Sequence, residues 1–228
     1  LHPLGALGLG LCVFVSGASV MIYEFVAVRF LQRDFGGTID VWGAVISVCM
    51  LGLAIGYAVG GWAADRFGTA RALGVALLIG GATGFPMEFF ALRAGEALLQ
   101  TERGLAWHPY IAAAVSSFLP ILSLGAVLPQ AVRLYARRLD RVGSTTGWIA
   151  ALSTGGSIGG VLLATMVLLT RVGTRETLYG TAATLLVTGA ALLPFGRRTA
   201  VAMAAVILLA PAPASARILY DDYSAYHH

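Results

Sequence analysis

The sequence predicts an all-α integral membrane protein, a bundle of about seven transmembrane helices, and three observations carry that prediction. Of the 228 residues, 58% are hydrophobic and only 11% are charged, whereas a soluble domain carries roughly 25% charged residues. The mean hydropathy is +0.82, so lipid must be the solvent for most of the surface. The apolar residues also fall into long runs bounded by Arg, Asp, Gly or Pro, and about 20 apolar residues in a helix are what a hydrocarbon core of roughly 30 Å requires.

The runs place spans at 4–28, 41–64, 72–92, 110–134, 147–170, 177–193 and 199–214. Short connections predict that each helix packs antiparallel to its sequence neighbours. The two longest connections, 93–109 and 133–146, hold many of the charges. The spans leave no length for a separate globular catalytic domain. The last one differs from the others: Arg197-Arg198 precedes a short apolar core and then Pro211-Ala-Pro-Ala-Ser-Ala216. That is the layout of a secretory signal peptide as well as of a short transmembrane helix, and either form exports the residues after Arg217.

Arginine and lysine are retained on the cytoplasmic side, which gives the orientation. Counts on the two sides nearly balance, so the densest cluster decides. Arg133, Arg137, Arg138 and Arg141 share one connection and are expected inside, which puts the amino terminus inside and the segment after Arg217 outside.

Composition also excludes several chemistries. All fifteen basic residues are Arg, so a Schiff-base or low-pKa lysine nucleophile is ruled out. The net charge of +4 is spread over connections rather than massed on one face, so nucleic-acid binding has no support. Cys12 and Cys49 lie inside apolar runs, where thiols behave as small buried hydrophobes, and neither a metal site nor a disulfide framework is suggested. No cofactor is expected.

Two spans are glycine-rich. Gly52, Gly56 and Gly60 recur at a spacing of four in the second, and the fifth contains Gly155, Gly156, Gly159 and Gly160. A spacing of four puts small residues on one helix face, where another backbone can come close. Such faces serve static helix packing; the functional alternative is a pair of helices that slide in a transporter, which needs the same smooth faces.

Three sets of residues carry resemblances. Gly61, Asp65, Arg66, Gly68 and Arg71, between the second and third spans, resemble the loop signature of the major facilitator superfamily, which in that superfamily is a cytoplasmic structural latch. Gly68 suits a tight turn, and Asp65 is expected to accept from helix-terminal N–H groups or to pair with an Arg. A longer series is similar to the membrane part of bacterial fused transporter-like/spermidine-synthase-like proteins. It comprises Tyr23-Glu24 with Arg29, Leu51 to Gly56 running into Gly60 to Arg66, Gly125-Ala-Val-Leu-Pro129, Arg133-Leu-Tyr-Ala-Arg137 and Gly147 to Gly160. The tail from Ile218 to His228 looks like the first strand of the synthase domain that comes after the helices in that family. Its His227 stands where soluble spermidine synthases have Gln, which puts aminopropyl transfer in doubt even for a longer protein; the alternative reading of the two terminal histidines is a foreign tag.

These resemblances imply a six-helix half of a major-facilitator-type fold over 1–196, a seventh helix over 197–216, and the start of a synthase-like domain over 217–228. They imply a bacterial inner membrane, no transferase activity in this chain itself, and a function as anchor or cationic-substrate-presenting module in a polyamine-related protein. The alternatives are a homodimeric half-transporter for a small amine or other solute, and a structural subunit of a larger membrane complex. Half of a transporter fold leaves a cavity face uncovered, so a second copy or another membrane protein is the expected partner beside the bilayer.

Ionisable residues at membrane depth cost several kcal/mol unless paired or hydrated, which makes them the best pointers to a site. Glu24 lies about one turn inside the end of the first span and Glu88 about one turn inside the end of the third, so alternation of the spans puts both on the outer side. With Asp40, His108 and the ring of Tyr23 they are candidates for a cation or amine site. The alternative is interfacial pairing of Glu24 with Arg29 and of Glu88 with Arg93.

Overall fold

The computed structural model describes residues 3–100, 105–136 and 142–193. The expected seventh helix, the strand-like tail and most of the arginine cluster lie outside them. The described chain is helical: α1 Pro3–Phe35, α2 Ile39–Phe67, α3 Ala70–Gly84, α4 Met87–Leu99, a short 3-10 turn Leu105–Trp107, α5 His108–Gly125, α6 Val127–Tyr135, α7 Val142–Leu163 and α8 Thr174–Ala191. A π-helical stretch, Ala164–Val172, continues α7.

Four helical stretches are long and apolar enough to cross a membrane, and the bent pair α3 and α4 makes five if it is one span. The protein is therefore multi-pass. The structure corrects several boundaries. The first helix runs on to Phe35, carrying Arg29, Arg33 and Asp34 on continuous helix. The third predicted span is bent by 46° where Pro86, lacking an N–H, caps α4. The sixth predicted span falls on α8, whose first turn carries Arg175 and Glu176 and which is not among the membrane-crossing candidates.

Glycine sets how closely the helices approach. A Cβ on Gly56 would overlap the Leu122 carbonyl, and one on Gly60 would overlap Ala126 backbone. On α7 the corresponding positions are Gly156, against the Phe14 carbonyl, and Gly160, against Ala18 backbone. Gly155 meets nothing and Gly159 only the end of the Phe14 ring, at 3.4 Å. The close face of α7 is thus carried by half of the predicted glycines. Gly17 of α1, against the Ser153 carbonyl, completes that face, and the Ser157 hydroxyl donates to the Gly17 carbonyl across it (3.2 Å).

These contacts reveal an internal symmetry. What α2 does to α5, α7 does to α1: Gly56 and Gly60 meet Leu122 and Ala126, while Gly156 and Gly160 meet Phe14 and Ala18. Where α1 crosses α5, the Ser16 hydroxyl donates to the Leu124 carbonyl (3.3 Å). The helices α3 and α8 pack on each other, Gly74 against Gly189 at one end and Phe85 against Tyr179, ring centroids 5.6 Å apart, at the other. Since α1 is antiparallel to the continuous stretch of α5 and α6, with Gly10 beside the Tyr135 hydroxyl of α6 and Ser16 beside Leu124 of α5, the two-fold axis lies across the helices. The first three helical units, α1, α2 and α3–α4, and the next three, α5–α6, α7 and α8, are therefore arranged as an inverted repeat. A short sequence echo marks it. Arg66-Phe-Gly68-Thr69 and Leu73 recur as Arg171-Val-Gly173-Thr174 and Leu178, and both glycines have positive φ, 52° and 111°, which only glycine adopts freely.

Candidate functional site

The contacts of α1 place Glu24. Phe25 meets Trp42 of α2 edge to face, with ring centroids 5.8 Å apart. One step back, Tyr23 is fully buried, and its hydroxyl donates to the Gly80 carbonyl of α3 (3.4 Å) over the bare surface of Gly84. Between them Glu24 is half-buried, within electrostatic reach of Cys49 on α2, whose thiol sits beside the Ser117 hydroxyl of α5. Among the described residues no hydrogen bond or ion pair reaches its carboxylate, and the alternative pairing with Arg29 is not formed. A carboxylate left without a partner at this depth is tolerated where water or a ligand reaches it.

Glu88 has the opposite environment. It is buried in the first turn of α4, where the helix dipole favours an anion. The Arg175 Nε–H donates to one carboxylate oxygen, and the Tyr179 hydroxyl donates to the other at 3.2 Å. Arg93, its predicted partner, instead pairs with Glu96 (3.4 Å) and lies over the Phe89 ring at 5.5 Å. The Glu88 hydrogen bond, with the charge behind it, holds the Arg175 guanidinium above its ordinary pKa, so this clamp between α4 and α8 stays ionised on the arginine side.

The five candidate residues share one end of the bundle without forming one cluster. Asp40 is exposed in the first turn of α2, and His108 is buried at the start of α5. Tyr23 is committed to α3 and Glu88 to α8, so neither the Tyr23 ring nor the Glu88 charge is free to meet a cation. The sequence missed Arg175 and Tyr179. The available signal was an Arg four residues before a Tyr, a spacing that puts both on one face of α8.

At the other end, Gly68 in the left-handed region ends α2, and Thr69 caps α3 by accepting from the Ala72 N–H (3.3 Å). Asp65, Arg66 and Arg71 are exposed. Thr69, rather than Asp65, caps the helix. Gly61 faces open space.

No protein-family profile matches the chain, and no solved structure matches it either. One curated relative does. Over 160 residues, 69% of the chain, the sequence is 30% identical to the gallate transporter of Pseudomonas putida. The chain spans about a third of that protein's length, 32%. It is thus a multi-pass membrane protein with transporter-like sequence. The likeness to spermidine-synthase fusions rests on sequence motifs alone.

Proposed function

We propose that the chain is a membrane transport module, a six-helix half of a major-facilitator-type fold, that handles a small organic solute at the end of the bundle where Glu24 lies. The observation that carries this function is the Glu24 carboxylate, half-buried on α1 and without a partner among the described residues, while Glu88 is fully engaged. The inverted repeat supports the fold, because 3+3 inverted repeats nest within each half of such transporters. A second half completes the cavity, either another copy or another membrane protein. The module sits in the inner membrane with its amino terminus inside, on the argument from the Arg133 to Arg141 cluster. For an organic anion such as gallate, which the matched relative is named for, Glu24 must be protonated as the solute binds. For an amine, the carboxylate is itself the counter-charge.

Calorimetry of the purified chain with gallate, spermidine and putrescine, in buffers of different ionisation enthalpy, separates these cases. Uptake of a proton with gallate, lost in Glu24→Gln, is the outcome expected for an anion module. Amine binding without proton uptake, also lost in the variant, restores the polyamine assignment. Absence of binding by the wild type to all three ligands would leave the chain an anchor or structural subunit.

A further inference from the structure

The helices α2 and α3 are consecutive, yet they diverge from the Gly68 turn: α2 leans on α5 and α6, and α3 chiefly on α8 and then on α5, rather than on each other. Between them runs a groove of about 460 Å³. Its flanks are Val59 and Phe67 on α2 and Val75 and Ile79 on α3, all exposed to the surroundings, so it opens sideways into the hydrocarbon. From Arg71 to Ile79 it extends about 12 Å along α3 at a rise of 1.5 Å per residue, a path suited to an extended chain rather than a compact solute. Thr69, Arg71, Ser123 and Gln130 interrupt the otherwise apolar lining. Arg71 stands at the mouth beside the α3 amino terminus, whose dipole is positive. Gln130 of α6 is buried in the wall. Its amide nitrogen donates to the Ala126 carbonyl (3.0 Å), and its Oε1 has no hydrogen-bond donor, an unusual state for a buried acceptor.

We infer that this groove is a binding site for an anionic phospholipid, one acyl chain lying between α2 and α3, the phosphate at Arg71, and a headgroup hydroxyl serving the Gln130 acceptor. Charge complementarity selects the occupant. A second helix would bring apolar side chains to the flanks but nothing to match the cation at the mouth, whereas an acyl chain below an anionic headgroup matches both. The inverted repeat supplies an internal comparison. The equivalent groove, between α1, the end of α7 and α8, holds about 410 Å³, and in the sequence echo Glu176 stands where Arg71 does. That groove has the wrong charge for an anionic headgroup. The site is independent of Glu24 and lies at the opposite end of the bundle.

Native mass spectrometry of the full chain, released from mild detergent with phosphatidylglycerol or phosphatidylcholine of matched acyl length, tests the site. The wild type is expected to retain phosphatidylglycerol about 5-fold better, the factor one surface arginine contributes, and Arg71→Gln is expected to erase that preference. Gln130→Leu should lower phosphatidylglycerol retention by a smaller factor and leave phosphatidylcholine unchanged, while Ala63→Phe, which fills the groove, should lower both. If Ala63→Phe does not fold, the exposed Arg71 variant decides. Equal retention of the two lipids by wild type, a preference that survives Arg71→Gln, or an equal effect from Glu176→Gln in the inverted groove overturns the assignment.

Discussion

Substituting leucine at two adjacent glycines of α7 should give opposite results, because Gly156 and Gly155 differ only in what faces them. A Cβ on Gly156 would lie inside contact distance of the Phe14 carbonyl, whereas one on Gly155 meets nothing within 4 Å. Overpacking a close-packed site costs about 1–3 kcal/mol when side chains can give way. Here the obstacle is the backbone of α1, so the upper end of that range is the minimum, and α1 must separate from α7. About 3 kcal/mol is a substantial share of a stability of roughly 5–15 kcal/mol. Gly155→Leu loses no contact and replaces a poor helix former, a gain of about 0.5–1 kcal/mol, so it should match or exceed wild type. The symmetry adds a third arm: Gly56→Leu, against the Leu122 carbonyl, should be as damaging as Gly156→Leu. Thermal unfolding in detergent, followed by tryptophan fluorescence and by the fraction eluting as monodisperse protein, reads all three. Equal loss at Gly155 and Gly156, or no loss at either, would refute the assignment of the close face.

Other perturbations concern the two glutamates and the termini of the helices. Arg175→Gln should destabilise by about 1–2 kcal/mol. That lies below the 3–5 kcal/mol of a fully buried broken pair, because the Arg175 side chain remains 45% exposed and solvent screens it; a melt of the variant, paired with Glu88→Gln in a double-mutant cycle, measures the coupling, and additivity of the two would show the clamp contributes nothing. Glu24→Gln should leave the melting temperature within a degree or two of wild type, since no partner is lost; a drop comparable to that of Arg175→Gln would reveal a structural role. Cys12 and Cys49 are buried and should not react with an impermeant maleimide, so single cysteines report topology cleanly. Gly37→Cys should label from outside and Ser144→Cys from inside, and the reverse pattern would invert the orientation.

The helical membrane class was legible because it depends on composition and run length alone, which tertiary contacts do not alter. The glycine periodicity in the second span was legible for a related reason: three residues at a spacing of four define one face. In the fifth span the doubled glycines, Gly155-Gly156 and Gly159-Gly160, define two faces, and only the packing of α1 tells which is used. The bend at Phe85 and Pro86 was hidden inside a continuous apolar run. The partner of Glu88 was not legible because it lies 87 positions away, whereas a reading of local spacing offers only Arg93. The inverted repeat was missed for another reason. Two-fold related helices run in opposite directions through the membrane, and their equivalent residues need only be small or apolar, so identity survives chiefly at the two turns where a glycine must take positive φ.

The contrast between Glu24 and Glu88 separates structure from function within one chain. Each lies near the end of its apolar run on the same side of the bundle, and each would be costly if ionised in hydrocarbon without compensation. For Glu88 the compensation is built in: a helix amino terminus, a guanidinium and a phenol hydroxyl, contributed by α4 and α8. Among the described residues nothing equivalent surrounds Glu24, although Tyr23 beside it shows that the fold can satisfy a polar group on this helix when it is buried. On the proposed transport reading, that compensation comes as a proton, as water, or as a charged solute. Each of the three can exchange during a transport cycle, whereas a residue that served only to anchor the bundle would lose stability on being replaced by leucine. Glu24→Leu thus distinguishes anchor from carrier without knowledge of the solute: a higher melting temperature marks a residue kept for function at the expense of stability, and a lower one marks a structural role the contacts do not show.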